Sequence, residues 1–237
     1  MLNSKMLPNG FGFLSGKEYF ENSEDVSSIR NAEHLKSFKN IFNQSLAKDG
    51  VRNRSYLKLD WSRKTENFIL SKNQNYFQSA ESNKDNGGVI RRFSMIDASV
   101  INAPVMKAIF RKNLVYIKNY EPLSQYDDLT IGIHFIQYKA SENGASYSSP
   151  VGLHMDDEPL VFVHLVELTE NAIGGDNLIA RLEDQEITNV IRLKNTLDTL
   201  CLTRDCYHAV TPLGSGSGYA HRDVILFTVE PPSTQKE

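Results

Sequence analysis

The chain has 237 residues, 40% apolar and 23% charged, with a formal net charge of −3 at pH 7, which suits one globular domain with a buried core. So small a negative charge gives no general attraction to nucleic acid or to anionic membranes. The two cysteines are too few for a disulfide scaffold, no apolar run is long enough to span a bilayer, and residues 1–5 lack the apolar stretch of a signal peptide. We therefore expect a cytoplasmic protein with no nucleic-acid or membrane partner, while the oligomeric state stays open.

Two amphipathic helices are predicted in the first half of the chain. Between residues 25 and 48 apolar side chains recur at steps of three and four residues, and Asp49-Gly50 ends the pattern. The second helix opens at Asn102 and Pro104, since proline is tolerated in a first helical turn. The expected buried faces are Leu35, Phe38, Phe42 and Leu46 in the first helix, and Val105, Met106, Ile109, Phe110, Leu114 and Ile117 in the second.

Strand-like patterns are short and are separated by turn residues. Residues 56–61 alternate like a strand, and residues 78–88 are typical of a polar loop, which we expect to matter for the substrate. After residue 128 β-type runs become frequent, at residues 129–138, 160–167, 177–180, 199–203 and 224–229. Short strands with such punctuation favour an antiparallel sandwich.

The order of these elements, helices first and strands later, predicts the domain organisation. We expect a single domain, residues 1–237, in which a helical part, about residues 1–125, packs on the outside of a β core, about residues 126–230. A flexible tail follows at residues 231–237. The predicted fold class is mainly β with flanking helices. The strand pattern and the histidine pattern described next together predict that the core is a double-stranded β-helix, a jelly-roll relative of the cupins.

Three residues have the spacing of a metal site made from two histidines and one carboxylate. His154 and Asp156 stand two residues apart, and because side chains alternate faces along a strand, both should point the same way. His208, on a distant strand, would complete the ligand set and leave the opposite positions open for dioxygen and a co-substrate. With six histidines in the chain, a chance His-x-Asp in a polar turn is the ordinary alternative. We predict that His154, Asp156 and His208 are catalytic iron ligands.

Arg222 favours the iron interpretation over that alternative. It lies in residues 221–229, which are typical of a buried strand entered through a turn. A guanidinium binds a carboxylate with two parallel hydrogen bonds, so Arg222 suits the far carboxylate of 2-oxoglutarate while the other end of that molecule chelates iron. Zinc would fit the same ligands but has no redox chemistry with which to activate dioxygen. Gly174-Gly175 is expected to mark a turn with positive φ or a close approach of the backbone to the pocket.

Four segments resemble a known family. They are GLHMD at residues 152–156, GG at 174–175, HAVTPL at 208–213 and GYAHRDV at 218–224. The chain resembles the iron(II)/2-oxoglutarate dioxygenases that hydroxylate free amino acids, the isoleucine dioxygenase type, in order from about residue 9 to residue 230. The resemblance implies Fe(II), O2, 2-oxoglutarate as a co-substrate that is decarboxylated to succinate and CO2, and hydroxylation of a free L-amino acid or close derivative. The family commonly has glycine where this chain has Asp157, which indicates a difference in substrate.

Several further polar residues are candidates for the co-substrate site. His134 and Gln137 fall on opposite faces of a strand, so at most one faces the pocket, and we favour Gln137 because a pocket supplies partners for a buried amide. Thr211 is expected either to hydrogen-bond the co-substrate carboxylate or to cap a turn. His164 is expected to be a satisfied core histidine and His221 a surface residue.

A free amino acid carries two charges, so its pocket needs a cation and an acid. Arg91, Arg92 and Arg181 are the candidate cations, although adjacent arginines are also typical of a solvated edge. Asp157 and Glu158 stand beside the proposed iron ligand and are the candidates to receive the ammonium group. The alternative for these two acids is an exposed acidic turn.

The predicted function is amino acid hydroxylation, with two alternatives. A peptide or protein hydroxylase would share the iron ligands and Arg222 and differ in having an open groove. A non-catalytic cupin-like sensor of a small acid would keep the metal ligands but would not need Arg222. Aerobic consumption of 2-oxoglutarate separates the sensor from the enzymes, and stimulation by free amino acids separates the two enzymes.

Overall fold

The structure, a computed structural model, describes residues 7, 9–17, 32–49 and 52–232, and within them strands predominate. The strands are β1 (Phe11–Leu14), β2 (Lys48–Asp49), β3 (Arg52–Ser62), β4 (Asn67–Leu70), β5 (Tyr76–Phe77), β6 (Ile90–Arg91), β7 (Asp128–Ser141), β8 (Leu160–Leu168), β9 (Ala172–Gly174), β10 (Asn177–Ala180), β11 (Ile187–Ile191), β12 (Thr199–Thr203), β13 (Tyr207–Val210), β14 (Leu213–Ser215) and β15 (Tyr219–Glu230). The helices are α1 (Ala32–Ser45) and α2 (Pro104–Asn119), with 3-10 helices at Ala98–Asn102 and Glu121–Leu123. The prediction of a mainly β fold with flanking helices is confirmed.

One large antiparallel sheet organises the molecule. Its strands lie in the order β1-β12-β8-β15-β7-β3-β2, and β4 pairs with β3. A smaller sheet has the order β11-β10-β13 and carries His208 on β13. Side chains from both sheets line one cavity, so the cavity lies between the sheets of a sandwich.

The two helices cover the face of the large sheet that is turned away from the cavity. Phe38 and Phe42 of α1 are 1% and 0% exposed, and the ring centroid of Phe42 lies 4.8 Å from that of Phe135 on β7. Phe110 of α2 likewise contacts the large sheet, where its ring packs edge-on against that of Phe227 on β15. Burial of each such side chain stabilises the fold by about 1.5–3 kcal/mol. The two predicted helical faces are therefore confirmed as core.

The N-terminal half of the chain contributes strands as well as helices. β1 pairs with β12, and β3 pairs with β7 over ten residue pairs, Asn53↔Gln137 to Ser62↔Asp128. Segments before about residue 125, predicted as a helical part, therefore also contribute strands to the large sheet, where they cover strands of the later part of the chain. The first helix also ends at Ser45 rather than at Lys48, since residues 48–49 pair with β3. Residues 25–31 of that predicted helix and 233–237 of the predicted tail lie outside the described residues.

The predicted β-type runs after residue 128 correspond to β7, β8, β10, β12 and β15. The strands β9, β11 and β14 are not among the predicted runs. Cys201 and Cys206 are buried free thiols, as expected of small core residues. Among the described residues, no helix has the length and apolar character needed to cross a membrane.

Candidate active site

His154, Asp156 and His208 come together in the cavity. His154 and His208 form an isolated bridge in which each backbone N–H donates to the carbonyl of the other, over 3.0 and 2.9 Å. The carboxylate of Asp156 has Oδ1 3.7 Å from Nε2 of His154 and Oδ2 3.3 Å from Nε2 of His208. One ligand atom of each residue lies within 4.8 Å of the others. The predicted set is therefore assembled, although His154 lies in an irregular segment fastened by this bridge rather than on a regular strand.

Hydrogen bonding and burial keep these imidazoles in the form that binds a metal. Nδ1 of His154 lies 3.0 Å from the carbonyl oxygen of Gly152, which can only accept, so Nδ1 carries a proton and Nε2 is the nitrogen that faces Asp156. Burial lowers the pKa of His208 to about 4, although the Asp156 carboxylate acts to raise it. Two imidazoles and a carboxylate are a donor set that fits Fe(II) and also fits zinc.

Arg222 is a buried cation in the same cavity. It lies on β15 and is 3% exposed, and its Nη2 reaches the amide oxygen of Asn177 at 3.4 Å. Its Nε is buried and has no hydrogen-bond partner within the described part of the chain. Burial lowers the pKa of its guanidinium. Because a buried charge is costly until it is paired, this position suits an anionic ligand.

The Gly174-Gly175 turn makes room for Arg222. Both glycines have positive φ, 72° and 74°, as predicted. A Cβ on Gly175 would lie 3.1 Å from Cδ of Arg222 and 3.2 Å from Cδ1 of Leu213. A Cβ on Gly174 would lie 2.1 Å from the carbonyl oxygen of Pro212. The turn conformation and the close approach to the pocket therefore both account for the glycine pair.

The cavity encloses about 810 Å³ of empty space, a volume that includes space open to solvent. Its apolar wall comes from both sheets and comprises Ile136, Val161, Val163, Leu202, Val210, Val224 and Leu226. Charged side chains also line it, and they are Arg52, Arg54, Arg91, Asp156, Glu158 and Arg222. Such a cavity can hold an anionic ligand close to a metal ion with little water present.

The cavity and its ligand set agree with a known enzyme family. A family model described as 2OG-Fe dioxygenase matches residues 35–228. The chain belongs to the 2OG-Fe dioxygenases. It is therefore a dioxygenase that uses Fe(II), 2-oxoglutarate and O2, as predicted.

Two named relatives and one solved structure are similar to this dioxygenase over almost its full length. L-isoleucine-4-hydroxylase from Bacillus thuringiensis is 37% identical over 220 residues, which are 92% of this chain and 90% of that protein. The 3(1)-hydroxy-L-isoleucine 4-dioxygenase of Pantoea ananatis (strain AJ13355) is 36% identical over 231 residues, 93% of this chain and 92% of that protein. The crystal structure of IDO from Bacillus thuringiensis superposes with a TM-score of 0.83 at 34% identity and covers 97% of both chains. The predicted jelly-roll core is thereby confirmed.

Two of the residues predicted for the substrate line the cavity of this dioxygenase. Glu158 is 5% exposed, and burial, followed by the nearby carboxylate of Asp156, raises its pKa well above the usual range. The Nη2 of Arg91 donates to Oε1 of Gln78 at 2.9 Å, and its guanidinium lies 4.8 Å from the ring centroid of Tyr76. The cavity thus contains an acid and a cation besides the ligand set and Arg222.

The other residues predicted for the substrate lie outside the cavity. Arg92 is exposed and donates to Oδ1 of Asn75 at 3.2 Å, so it is the solvated member of the arginine pair. Asp157 directs its carboxylate into the 78–88 loop, which satisfies it without a substrate. Arg181 is exposed and pairs with neighbouring acids. The structure therefore places neither Arg92 nor Asp157 in the lining of this cavity.

Gln137 and Thr211, predicted for the co-substrate, do not line the cavity either. Gln137 lies on the opposite face of β7, where it accepts from Nδ2 of Asn53 at 3.0 Å and donates to Oδ2 of Asp223 at 3.3 Å. The hydroxyl oxygen of Thr211 accepts from the backbone N–H of Asp176 at 2.9 Å. The structure thus corrects Gln137 and supports the turn role for Thr211.

His134 and Arg54 occupy the position that was expected for Gln137. His134 is 1% exposed and lines the cavity, and burial lowers its pKa well below the usual range. Its Nδ1 lies 2.9 Å from Nη2 of Arg54, which can only donate, so Nδ1 accepts and Nε2 carries the proton. Arg54 stacks over the ring of Phe93, with Cζ 4.0 Å from the ring centroid. The alternation of β3 is the sequence signal that could have indicated Arg54.

Proposed function

We propose that this dioxygenase hydroxylates a free L-amino acid or a close derivative, with isoleucine-like aliphatic amino acids as the first candidates. 2-Oxoglutarate would be decarboxylated to succinate and CO2 in the same turnover. The observation that carries the proposal is a cavity lined by the ligand set, Arg222, a buried acid, Glu158, and a further cation, Arg91. The names of the two relatives, which refer to isoleucine and to a hydroxylated isoleucine, support the choice of candidates.

His154, Asp156 and His208 are proposed to hold the Fe(II) ion. The chemistry of their donor atoms and their separations support this assignment. Bound iron supplies the redox chemistry that activates dioxygen. The chain's own part is to hold the carboxylate between two imidazoles and to fix the proton of His154 on Nδ1 through Gly152.

Arg222 is proposed to bind the carboxylate of 2-oxoglutarate that is remote from the iron. A guanidinium and a carboxylate form two parallel hydrogen bonds, and the unpaired Nε of Arg222 is suited to one of them. Pairing removes the cost of a buried, unpartnered cation. Val163 and Val224 give the cavity an apolar lining, and an ion pair is stronger in apolar surroundings than in water.

Arg91 and Glu158 are proposed to bind the two charges of the amino acid. The carboxylate suits Arg91, whose guanidinium is held by Gln78. The ammonium group suits Glu158, because a cation offsets the burial that raises the pKa of this carboxyl. An internal residue of a peptide offers neither charge on its backbone, so this pair favours a free amino acid over a peptide substrate.

Succinate release in the presence of each of the twenty free L-amino acids, with mass spectrometry of the products, tests the proposal. We expect an aliphatic amino acid to stimulate succinate release and to gain one oxygen atom. Arg91→Ala should raise the KM for that amino acid by roughly 10- to 100-fold, because a charge-assisted hydrogen bond is lost. The matched control is Arg92→Ala, which should change the KM by no more than about twofold because the side chain is exposed.

Two outcomes would overturn this assignment. Turnover of peptides with no stimulation by any free amino acid would make the protein a peptide hydroxylase. Equal effects of Arg91→Ala and Arg92→Ala on the KM would remove Arg91 from the substrate site.

A further inference from the structure

The carboxylate of Asp157 fastens the 78–88 loop directly beside the proposed iron ligand Asp156. Its Oδ2 accepts from the backbone N–H of Ser79 at 2.5 Å. Its Oδ1 accepts from the hydroxyl of Ser79 at 2.7 Å and from the hydroxyl of Ser82 at 2.6 Å. The carboxylate of Asp157 therefore accepts three hydrogen bonds from the beginning of the loop.

The same loop is also tied to the segment that precedes His154. The side-chain amide of Asn86 donates to the hydroxyl of Ser149 at 2.8 Å. The carboxylate of Asp85 accepts from the backbone N–H of Val151 at 3.0 Å. The loop is thus bonded to the chain on both sides of the His-x-Asp pair.

Hydrogen bonds within the loop hold its first residue, Gln78, in one position. The side-chain amide of Asn83 donates to Oε1 of Gln78 at 2.8 Å, and the backbone carbonyl of Gln78 accepts from Gly88 at 2.8 Å. The loop is closely packed, since a Cβ on Gly87 would lie 2.1 Å from the carbonyl oxygen of Ser79. The same Oε1 of Gln78 accepts from Nη2 of Arg91 at 2.9 Å. The backbone N–H of Asn83 donates to the carbonyl oxygen of Ser79 at 3.0 Å, so hydrogen bonds link Asp157 through Ser79, Asn83 and Gln78 to Arg91.

We infer that Asp157 is a positioning residue for the amino acid substrate, which acts through the 78–88 loop and Gln78 on the guanidinium of Arg91. The inference rests on the proposed function, since it concerns the cation assigned to the substrate carboxylate. Asp157 itself does not line the cavity. Its role is to fix the loop against the metal-binding segment, so that Arg91 is already oriented when the amino acid arrives. A preoriented cation lowers the entropy lost on binding.

Steady-state kinetics of Asp157→Ala and Asp157→Asn test the inference. Asp157→Ala should raise the KM for the amino acid on the order of tenfold, because small misplacements of a binding group weaken it strongly. The KM for 2-oxoglutarate should stay unchanged, since Arg222 lies on β15, away from the loop. Asp157→Asn keeps one acceptor oxygen for the serine hydroxyls and should restore part of the loss.

Two controls separate positioning from a general structural role. Asp97→Ala removes a carboxylate that accepts from the N–H of Ser99 at 2.8 Å, outside the cavity, and should leave both KM values unchanged. In an Arg91→Ala background, Asp157→Ala should add nothing further to the KM for the amino acid. Hydrogen exchange of residues 78–88, measured without substrate, should be faster in Asp157→Ala than in wild type.

The results that overturn the inference differ from those that overturn the proposed function. Unchanged hydrogen exchange in the loop, equal rises of both KM values, or additive effects of the two substitutions would each remove Asp157 from this role. If the wild type turned over no amino acid, the proposed function would be overturned instead. Arg91 would then no longer be assigned to the carboxylate of an amino acid. In that case faster exchange in Asp157→Ala would still establish that the carboxylate fastens the loop.

Discussion

The His-x-Asp pattern occurs twice in the chain, at residues 154–156 and 221–223, and the two pairs lie on opposite sides of the large sheet. His154 and Asp156 line the cavity, and the third ligand-type side chain near them is His208. His221 and Asp223 flank Arg222 on β15 and therefore point to the helix-covered face. The third side chain near the second pair is Glu167.

The partners of the two pairs differ in charge. Glu167 accepts from Nζ of Lys39 at 2.9 Å and lies 3.4 Å from Nε2 of His221, while Gln137 donates to Asp223. The second pair is thus part of a polar network with its own cation. Within the described residues, the carboxylate of Asp156 lies near the two histidines and forms no salt bridge with a lysine or arginine. A His-x-Asp spacing specifies that two side chains share a face, and the residues opposite that face determine their chemistry.

Removing a proposed metal ligand of the first site should cause the largest loss of turnover and so separates the two His-x-Asp pairs most clearly. Asp156→Ala and His208→Ala should each reduce substrate-coupled succinate formation to background, because two donors hold the metal poorly. The matched change in the second pair, His221→Ala, should leave turnover within about twofold of wild type. Succinate assays on folded proteins, with folding verified by circular dichroism, provide the measurement. Wild-type turnover in Asp156→Ala, or its loss in His221→Ala, would reverse the roles of the two pairs.

Arg222 lies between His221 and Asp223 and points to the cavity. Its substitution should have a smaller effect on turnover than loss of a metal ligand, and should act on co-substrate binding. Arg222→Ala should raise the KM for 2-oxoglutarate roughly 10- to 100-fold, because a buried charge-assisted pair contributes about 1.5–3 kcal/mol. Its effect on kcat should be much smaller, since the pair contributes to substrate and transition-state binding alike. Titration of 2-oxoglutarate at saturating amino acid gives both values. An unchanged KM would exclude Arg222 from the co-substrate site.

Asp223→Asn should show the smallest effect, on stability rather than on turnover. Burial raises the pKa of Asp223 to about 6, above the ~3.9 of an unfolded aspartate. Because the folded pKa is the higher one, the contribution of Asp223 to stability is present below about pH 4 and is lost as the pH rises through about 6. The asparagine variant should therefore gain up to about 3 kcal/mol over wild type near neutral pH and little near about pH 4.

Denaturant unfolding at the two pH values measures this gain. Asp97→Asn is the control, since Ser99 lowers the pKa of that exposed carboxyl and its removal should give no gain at neutral pH. The same difference between Asp223→Asn and wild type at both pH values would mean that Asp223 is not destabilised by its charge.

The sequence allowed prediction of the features that depend on local spacing and composition. Helical periodicity indicated both buried helix faces, and the glycine pair and Arg222 lie next to each other as expected. His164 is the satisfied core histidine that was predicted, with Nδ1 2.8 Å from Oγ1 of Thr199 and Nε2 3.2 Å from Nδ2 of Asn113.

Features that depend on pairing between distant segments could not be predicted from the sequence. Which face of β7 meets the cavity is set by its register against β3 and β15, and this decides between His134 and Gln137. Arg54 is buried because Phe93, from a segment outside β3, covers it. Asp157 was expected at the substrate because it follows an iron ligand, but its neighbours in space are serines of a loop far away in sequence.

A single turnover assay with isotopically labelled O2 tests the central claim most directly. With an aliphatic amino acid, Fe(II) and 2-oxoglutarate, mass spectrometry should find one labelled oxygen in the amino acid and one in succinate, in equal amounts. Asp156→Ala should give neither labelled product, and His221→Ala should give both. Labelled succinate without a labelled amino acid, or labelled products from Asp156→Ala at the wild-type level, would contradict the account.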